Sequence, residues 1–545
     1  ASVPSPGEIR VQGPGTIATT ADTRFTFGGR FTGAGMLTKA GAGTLLVTGN
    51  NDGFEGSTTL AAGTLAVRGI LGGTVTVGSG GRLEGGGRVG SLVNAGTVSP
   101  GSGPGVLTVT GDYEGRGGVL EIDTGPGGDG VPVSDLLVVG GATAGNTLVR
   151  VTDRSGLSAP TEDGIKIVDV AGASNGSFAL DGDYLFDGQQ TVIAGAYGYR
   201  LAKNGIATPQ DGDWYLRSSA PGNSGPLYQP GVPVYEAYIG ALQALNGLPT
   251  LQQRVGNRSW AGTPMAGGKG IWGRFESQRL RPGAAVSTSA PAQKIDGWQA
   301  QMGADLMLAE RGDGATLVGG ISGHYGTVDA AVTSIFGNGL IDTKGYGVGA
   351  SLTWYGPQGF YVDGQAKLSW FDSDLKSNLL GVLVEGNKGK GRAFSLELGK
   401  RSSVGGGLTV TPQVQMTYTH VGFDRFADQV DTIVSADRGD SLRTRWGLSL
   451  DHQQSRGATG EGRSTHVYAM ANIAYEWLEG ARAGVSGTPV ENRDRRLTGE
   501  LGLGGSYSWG GGRFTLYSEV AGDTALASFG DGYSIKGTAG LRMRF

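Results

Sequence analysis

From residue 270 to residue 545 polar and apolar side chains alternate at every second position, segment after segment, and no other feature restricts the fold so tightly. A period of two places successive side chains on opposite faces of an extended strand. Val362, Gly364, Ala366, Leu368 and Trp370 share one face, opposed by Asp363, Gln365, Lys367 and Ser369. Val410, Pro412, Val414, Met416 and Tyr418 likewise oppose Thr411, Gln413, Gln415, Thr417 and Thr419. Leu442, Thr444, Trp446, Leu448 and Leu450 oppose Ser441, Arg443, Arg445, Ser449 and Asp451. A soluble sandwich also alternates, but these polar faces carry charges in strand after strand, each about ten residues long, the length that crosses a bilayer when tilted.

Twelve such segments can be counted, at 270–280, 293–308, 315–331, 339–355, 359–375, 388–403, 408–424, 433–452, 466–479, 492–509, 513–523 and 531–545. After even-numbered segments the turns are mostly tight and Gly-rich, as in Arg311-Gly312-Asp313-Gly314 and Gly510-Gly511-Gly512, with 453–465 the exception. After odd-numbered segments the loops are longer, as in Arg281 to Ala292 and Asn378 to Asn387. An even strand number, with short turns on one side and long loops on the other, predicts an outer-membrane β-barrel. Trp272, Trp354, Tyr355, Trp370, Trp477 and Trp509 lie near segment ends and are expected in its interfacial girdles. In the last segment Tyr533, Ile535, Gly537, Ala539, Leu541, Met543 and Phe545 share one face, and the terminal Phe545 completes the expected outer-membrane assembly signal.

The chain changes character near residue 258. Eight of the nine Trp and all four His follow it, whereas only three Lys precede it. Residues 1–130 carry a loose repeat that opens short strands: Gly43-Thr44-Leu45, Gly63-Thr64-Leu65, Gly73-Thr74-Val75, Gly96-Thr97-Val98, Gly105-Val106-Leu107 and Gly118-Val119-Leu120. Strands this short bury their apolar face only by stacking, which predicts a right-handed parallel β-helix. Residues 131–217 remain β-like, have denser polar turns and are the candidate cap over the exposed solenoid end. Within 218–258, Pro233 to Asn246 reads as the one convincing helix, with Pro233 in its first turn and Gly247 at C′, and Thr250 can cap a short second turn, Leu251 to Val255. Residues 259–545 form the barrel. The expected fold is therefore all-β, a parallel β-helix followed by a twelve-stranded transmembrane barrel.

Gly-rich solenoid, cap, helix and a C-terminal barrel ending in Phe545 resemble a monomeric autotransporter of the pertactin/AIDA type, a type V secretion protein. Local matches include Leu37-Thr38-Lys39-Ala40-Gly41-Ala42-Gly43-Thr44-Leu45 and Gly56-Ser57-Thr58-Thr59-Leu60-Ala61-Ala62-Gly63-Thr64-Leu65, which resemble the passenger-associated β repeat. Ala95-Gly96-Thr97-Val98-Ser99-Pro100-Gly101 and Arg254-Val255-Gly256 also match. The resemblance implies that the helix threads the barrel lumen, with Tyr235, Tyr238, Leu242, Leu245 and Asn246 along it, and that residues near 131–217 act as an autochaperone. It implies partners as well: outer-membrane lipid and lipopolysaccharide, the general secretion channel, periplasmic chaperones, the barrel-assembly machinery and a host or neighbouring-cell surface. The chain is expected to be monomeric, with the barrel in the bacterial outer membrane and the passenger, a surface adhesin or interaction module, displayed or released.

Asp363, Lys367, Glu397, Arg443, Arg445, Glu476, Glu500, Lys536, Arg542 and Arg544 are expected to face the lumen and brace the helix. Some relatives cleave their own helix at an Asn with the help of such acids, and Asn246 and Asn257 are the candidates here. The alternatives from other classes are a porin-like channel and an esterase. Gly439-Asp440-Ser441-Leu442 spells an esterase nucleophile block, but the acid-x-x-His spacing that would activate Ser441 is missing, and Asp451-His452 are adjacent instead. Arg438-Gly439-Asp440 is an integrin-binding tripeptide that can arise by chance.

Composition removes further classes. The chain has 105 Gly without a collagen period and no Cys, which excludes disulfide scaffolds and thiol enzymes. Cys-free chains also pass a narrow pore without disulfide obstacles. A net charge of −4 supplies no field for nucleic acid. No apolar run approaches a membrane helix. The first 258 residues hold neither His nor Cys, so a binding or structural passenger is expected, with no enzyme activity, cofactor or metal. The chain opens on Ala1-Ser2-Val3-Pro4 without Met, and a processed or truncated product is expected.

Overall fold

Leu45, Leu65, Leu83, Val98, Leu120 and Val149 stand one above another, each paired in parallel register with the next and each with none of its surface exposed. Leu71, Val89, Val109, Val139 and Val170 form a second column of the same kind. Burying each such side chain contributes about 1.5–3 kcal/mol, so the two columns are the core of a parallel β-solenoid. The computed structural model describes residues 7–101, 103–124, 134–153, 159–219, 225–256, 269–456 and 462–545. They divide between two compact units, Ala1–Gln229 and Pro230–Phe545.

The repeat units at Gly43, Gly63, Gly96 and Gly118 supply Leu45, Leu65, Val98 and Leu120 of the first column, and glycine turns corners beside them. Gly63 has φ +72°, and a Cβ there would lie 2.4 Å from the Gly41 carbonyl oxygen of the coil below. Any side chain at that corner would force adjacent coils apart.

Parallel stacking continues past residue 131, through Thr143–Asp153 to Ser177–Leu180, and antiparallel pairing takes over with Tyr184–Phe186, Gln189–Ala194, Tyr197–Lys203 and Trp214–Arg217. The sequence expectation ended the β-helix at 130 and began a β-like cap at 131, whereas parallel coils run on to Ser177–Leu180. Coil length explains the difference: the offset between paired residues is 20 from Leu45 to Leu65 but 29 from Leu120 to Val149, so the later coils lose the spacing that marks the repeat. Phe178 closes the core end, 5.9 Å from the Tyr113 ring and 5.2 Å from Trp214. Asp213 accepts the Val170 amide at 2.8 Å and pairs with Lys166 at 2.6 Å, fixing the meander to the last coil.

In the second unit twelve antiparallel strands close a barrel: β1 (Lys269–Arg281), β2 (Ala292–Glu310), β3 (Thr316–Thr333), β4 (Gly339–Tyr355), β5 (Phe360–Ser377), β6 (Gly381–Lys400), β7 (Leu408–Phe423), β8 (Asp440–Arg456), β9 (Arg463–Glu476), β10 (Leu497–Trp509), β11 (Phe514–Ala525) and β12 (Tyr533–Arg544). Closure pairs β1 with β12 from Gly270↔Arg544 to Arg281↔Tyr533. The alternation read from sequence appears as burial: Asp363, Gln365, Lys367 and Ser369 are buried inside, while Leu368 and Trp370 are exposed outside.

The segments 433–452 and 492–509 each divide in two. Ile433–Arg438 and Thr488–Asp494 leave the barrel for a separate five-stranded sheet with Ala284–Ser287, Ala481–Val485 and Phe426–Ala427. Val434, Val485 and Val490 bury completely in that sheet, so alternation alone could not tell its strands from barrel strands. The expected long loop at 378–387 is a three-residue turn between β5 and β6, whose ends extend the hairpin through bulges. Trp272 and Tyr355 lie inside rather than in a girdle, and the Trp272 indole donates to Asp305 at 3.2 Å. Their positions near strand ends were right for a girdle, but the parity was wrong.

Candidate functional site

The barrel interior is occupied by helix α1 (Val232–Asn246), which enters it with Pro233 in the first turn and no side-chain cap. Twelve of its fifteen residues are buried, including the charged Glu236 and the polar Asn246. A helix buried on every side is an enclosed helix, and the surrounding strands supply the enclosure. It ends where Leu248-Pro249 leaves the helical path. Gly247 is extended, with φ −63° and ψ 154°, so the left-handed C′ turn expected from sequence does not form. A short helix, α2 (Leu251–Val255), follows, with Thr250 and Gln253 completing a capping box.

Polar contacts hold α1 along its length, to the separate sheet and neighbouring loops at its N-terminal end and to the barrel wall further on. Tyr235 donates to Asp428 at 2.6 Å, and Tyr238 donates to Asn387 at 3.0 Å while its ring lies 4.5 Å from that of Phe423. The Glu236 carboxylate accepts the Ser287 hydroxyl at 2.5 Å and both the amide and hydroxyl of Ser289, at 2.7 and 2.6 Å. Burial pushes the Asp428 carboxyl, in the loop between Phe426–Ala427 and Ile433–Arg438, above its ordinary value, against the lowering effect of the Tyr235 bond. At the other end Gln278 donates to the Ala244 carbonyl at 2.7 Å, and Lys367 donates to those of Leu245 and Gly247 at 2.7 and 3.3 Å. These bonds satisfy carbonyls left open by the helix end and set a cation at its negative pole. Asn246 donates to the carbonyls of Arg392 and His420 at 3.1 and 3.3 Å and accepts from Ser369 at 3.2 Å. Leu242 and Leu245 are buried apolar contacts.

A second cluster holds α2. Arg254 pairs with Asp363 at 2.5 Å and also donates to Ser351 and Thr353. Glu397 accepts the Leu251 amide at 3.0 Å and the Tyr361 hydroxyl at 2.7 Å, and Arg445 lies 4.0 Å from it. Gln253 donates to Glu519 at 2.6 Å, and Arg542 donates to the Val255 carbonyl at 3.1 Å.

Of the residues named from sequence, Asp363, Lys367, Glu397, Arg445 and Arg542 therefore converge on the helices. The others do not. Lys536 pairs with Glu276 at 3.5 Å on the wall, Glu500 accepts from Asn472, and Arg544 donates to the Gly512 carbonyl at 2.8 Å in a turn. Arg443 is exposed and reaches Thr498, and Glu476 accepts Ser441 at 2.6 Å and the Leu442 amide at 2.9 Å. Ser441 is thus bonded to a carboxylate and not to a histidine. Arg438 is bonded to the carbonyls of Glu479 and Gly480, and Asp440 accepts Tyr418, so that tripeptide is engaged within the fold. Tyr533, Ile535, Leu541 and Phe545 face outward and exposed on β12 and the residue after it, with Met543 half-buried on the same face. Asn257 lies outside the described residues.

Sequence reasoning did not place Arg254, Gln253, Glu236, Gln278 or Glu519 in the site. A lone Glu in an otherwise uncharged helix was the available signal for Glu236. Arg254 and Gln253 sit on a turn too short to show a periodic face.

Two family models match the chain. The autotransporter beta-domain covers residues 271–521, and the Autochaperone Domain Type 1 covers 87–201. The chain belongs to the autotransporter family. Its barrel is an outer-membrane barrel, and the autochaperone match takes in the later solenoid coils together with most of the antiparallel meander. The Adhesin BmaC autotransporter of Brucella suis is 44% identical over 98% of this chain, which spans 16% of that protein. The Autotransporter adhesin AIDA-I of Escherichia coli is 25% identical over 79% of this chain, which spans 33% of it. The crystal structure of the AIDA-I transport unit aligns with 58% of this autotransporter and all of that chain, at 17% identity and a TM-score of 0.49.

Proposed function

We propose that the barrel inserts in the outer membrane, that the solenoid crosses to the cell surface, and that α1 remains as the plug of the passage it used. The observation that carries this reading is the burial of α1 within the closed strands, with bonds from both helices to β1, β4, β5, β6, β7, β11 and β12. A porin would keep that space for water. Folding of the meander and then of the coils makes export directional, since each coil that closes buries its Leu and Val and opposes return through the pore.

The barrel-assembly machinery reads the outward face of β12, Tyr533, Ile535, Leu541, Met543 and Phe545, after periplasmic chaperones have carried the unfolded chain to it. The passenger acts by binding, as an adhesin or interaction module on a host or neighbouring-cell surface, rather than by catalysis. The names of the two relatives support this, and so does a solenoid unit that contains no His or Cys. The chain works as a monomer and keeps its helix uncut at Asn246, because the amide nitrogen that would attack the backbone is bonded to two carbonyls.

Trypsin added to intact cells tests the display. The passenger should be cut and the barrel protected. A passenger that resists trypsin on whole cells yet is cut after the outer membrane is opened would contradict export.

A further inference from the structure

The outward face of the barrel is not uniform. Tyr346 and Trp370 stand side by side on β4 and β5 with ring centroids 6.0 Å apart, and Trp354 lies eight residues further along β4. At roughly 3.3 Å per residue and a tilt near 40° those two aromatic levels are about 20 Å apart, close to the height of an outer-membrane apolar band. The Tyr346–Trp370 level belongs to the β4 and β5 ends that lead to the outer loops, which is the outer leaflet.

At that level β6 turns three cations outward on alternate residues. Lys388 is in register with Asp372, Lys390 with Trp370, and Arg392 with Leu368. All three are exposed. Lys388 pairs with Asp372, but Lys390 has no ion-pair partner among the described residues. On the other side of β6, Arg392 shares a hydrogen bond with the Tyr418 hydroxyl of β7 and faces the Asp440 carboxylate, to which the His420 ring is also bonded at 3.0 Å, so Lys390 is the least compensated of the three. By contrast β10, β11 and β12 present no Lys or Arg at their outward positions, where Leu501, Leu503, Leu516, Val520 and Leu541 stand. A cation on a lipid-facing strand costs free energy unless something at the interface receives it.

Directly below these cations the wall is hollow. Ala366 is in register with Phe394, and Phe394 with Tyr418. Together with Leu396, Met416 and Leu442 they line an apolar groove of about 550 Å³. Gly364 and Ala366 on β5 stand between Leu352 on β4 and the larger Phe394 and Leu396 on β6 and leave this hollow, which begins one outward position below Arg392.

We propose that this face of the barrel binds one molecule of lipid A, the phosphorylated acyl-disaccharide anchor of lipopolysaccharide, with its phosphates on Lys390 and Arg392 and an acyl chain in the groove. The inference rests on the outer-membrane reading of the barrel. Charge complementarity selects the occupant. Two long basic side chains on one strand, able to splay apart, match a headgroup that carries two phosphates at opposite ends of a disaccharide better than a phospholipid with a single phosphate. Lys388, held by Asp372, sets the upper edge of the site.

The test uses the full chain in nanodiscs of phosphatidylethanolamine, titrated with bisphosphorylated lipid A or with phosphatidylglycerol and read by native mass spectrometry. One lipid A should be retained by the wild type, and the double variant Lys390→Gln/Arg392→Gln should need roughly thirty-fold more lipid A for the same occupancy. Lys390→Arg/Arg392→Lys should bind as the wild type does, as should Lys294→Gln, which removes an outward cation on β2. Equal retention by the Gln variant, or equal retention of phosphatidylglycerol by the wild type, would overturn the proposal. Loss of the heat-modifiable gel shift in the wild type would instead contradict the barrel reading, so the two failures are distinguishable.

Discussion

Arg254 of α2 and Asp363 of β5 meet at 2.5 Å, with 3% and 0% of their side chains exposed, inside a barrel whose outer face is apolar. The pair is completed by hydroxyl and amide donors: Thr353 bonds the same Asp363 oxygen at 2.5 Å, and Gln365 bonds the other at 2.9 Å. Two charges out of water are tolerable only with such a shell, and removing one partner leaves the other uncompensated. The contact therefore fastens the short helix, and with it the base of α1, to the barrel wall.

Asp363→Asn should weaken the closed barrel by about 3–5 kcal/mol, because Arg254 stays buried without its counter-charge. Replacing both, as Arg254→Met with Asp363→Leu, should recover most of that loss. The temperature at which the heat-modifiable gel shift disappears checks both, and an Asp363→Asn barrel as resistant as the wild type would contradict the role given to the pair.

In the solenoid, Leu83 stands mid-column between Leu65 and Val98 with no exposed surface. Leu83→Ala should cost about 2–5 kcal/mol through lost burial and the cavity left behind. If coil folding drives export, the amount of passenger reached by trypsin on intact cells should fall while the barrel content of the membrane stays constant. Unchanged display would separate folding from export.

Lys39 is buried in the solenoid, its ammonium bonded to the carbonyls of Ala40, Gly41 and Ala62 at 3.1, 2.8 and 3.0 Å. Burial lowers its pKa below the ordinary 10.5. The unfolded chain then binds more protons than the folded one between the lowered value and 10.5, so this group's cost to folding is fully present below that window and is relieved as pH rises through it. In denaturant titrations of the full chain read by passenger proteolysis, the wild type should gain on Lys39→Met as pH approaches 10.5. A constant difference across that window would refute the assignment.

The fixed amide of Asn246 predicts an uncut chain. Cells expressing the intact gene should show one species that carries both barrel and passenger epitopes, and Asn246→Asp should leave that pattern unchanged. A separate barrel fragment in the wild type that Asn246→Asp abolishes would contradict it.

Much of this architecture was legible in the sequence because the barrel strands obey a local rule. The alternation at Val362 to Trp370 needed only the period of two, and the limits of α1 needed only Pro233 and the apolar run behind it. What was hidden depends on longer-range geometry. Ile433–Arg438 and Thr488–Asp494 alternate like barrel strands but both pair with Ala481–Val485 outside it. Trp272 is one residue out of phase with the girdle. The lumen site was half visible: parity put Asp363, Lys367 and Glu397 inside, but only the threaded path of the chain brings Arg254 to Asp363 across a separation of 109 residues.

The central claim is that α1 fills the passage, and single-channel conductance tests it most directly. The full chain in a planar bilayer should be nearly closed, while deletion of residues 232–246 should open it to a large, steady conductance. A wild-type chain already conducting at the level of the deletion would contradict the account.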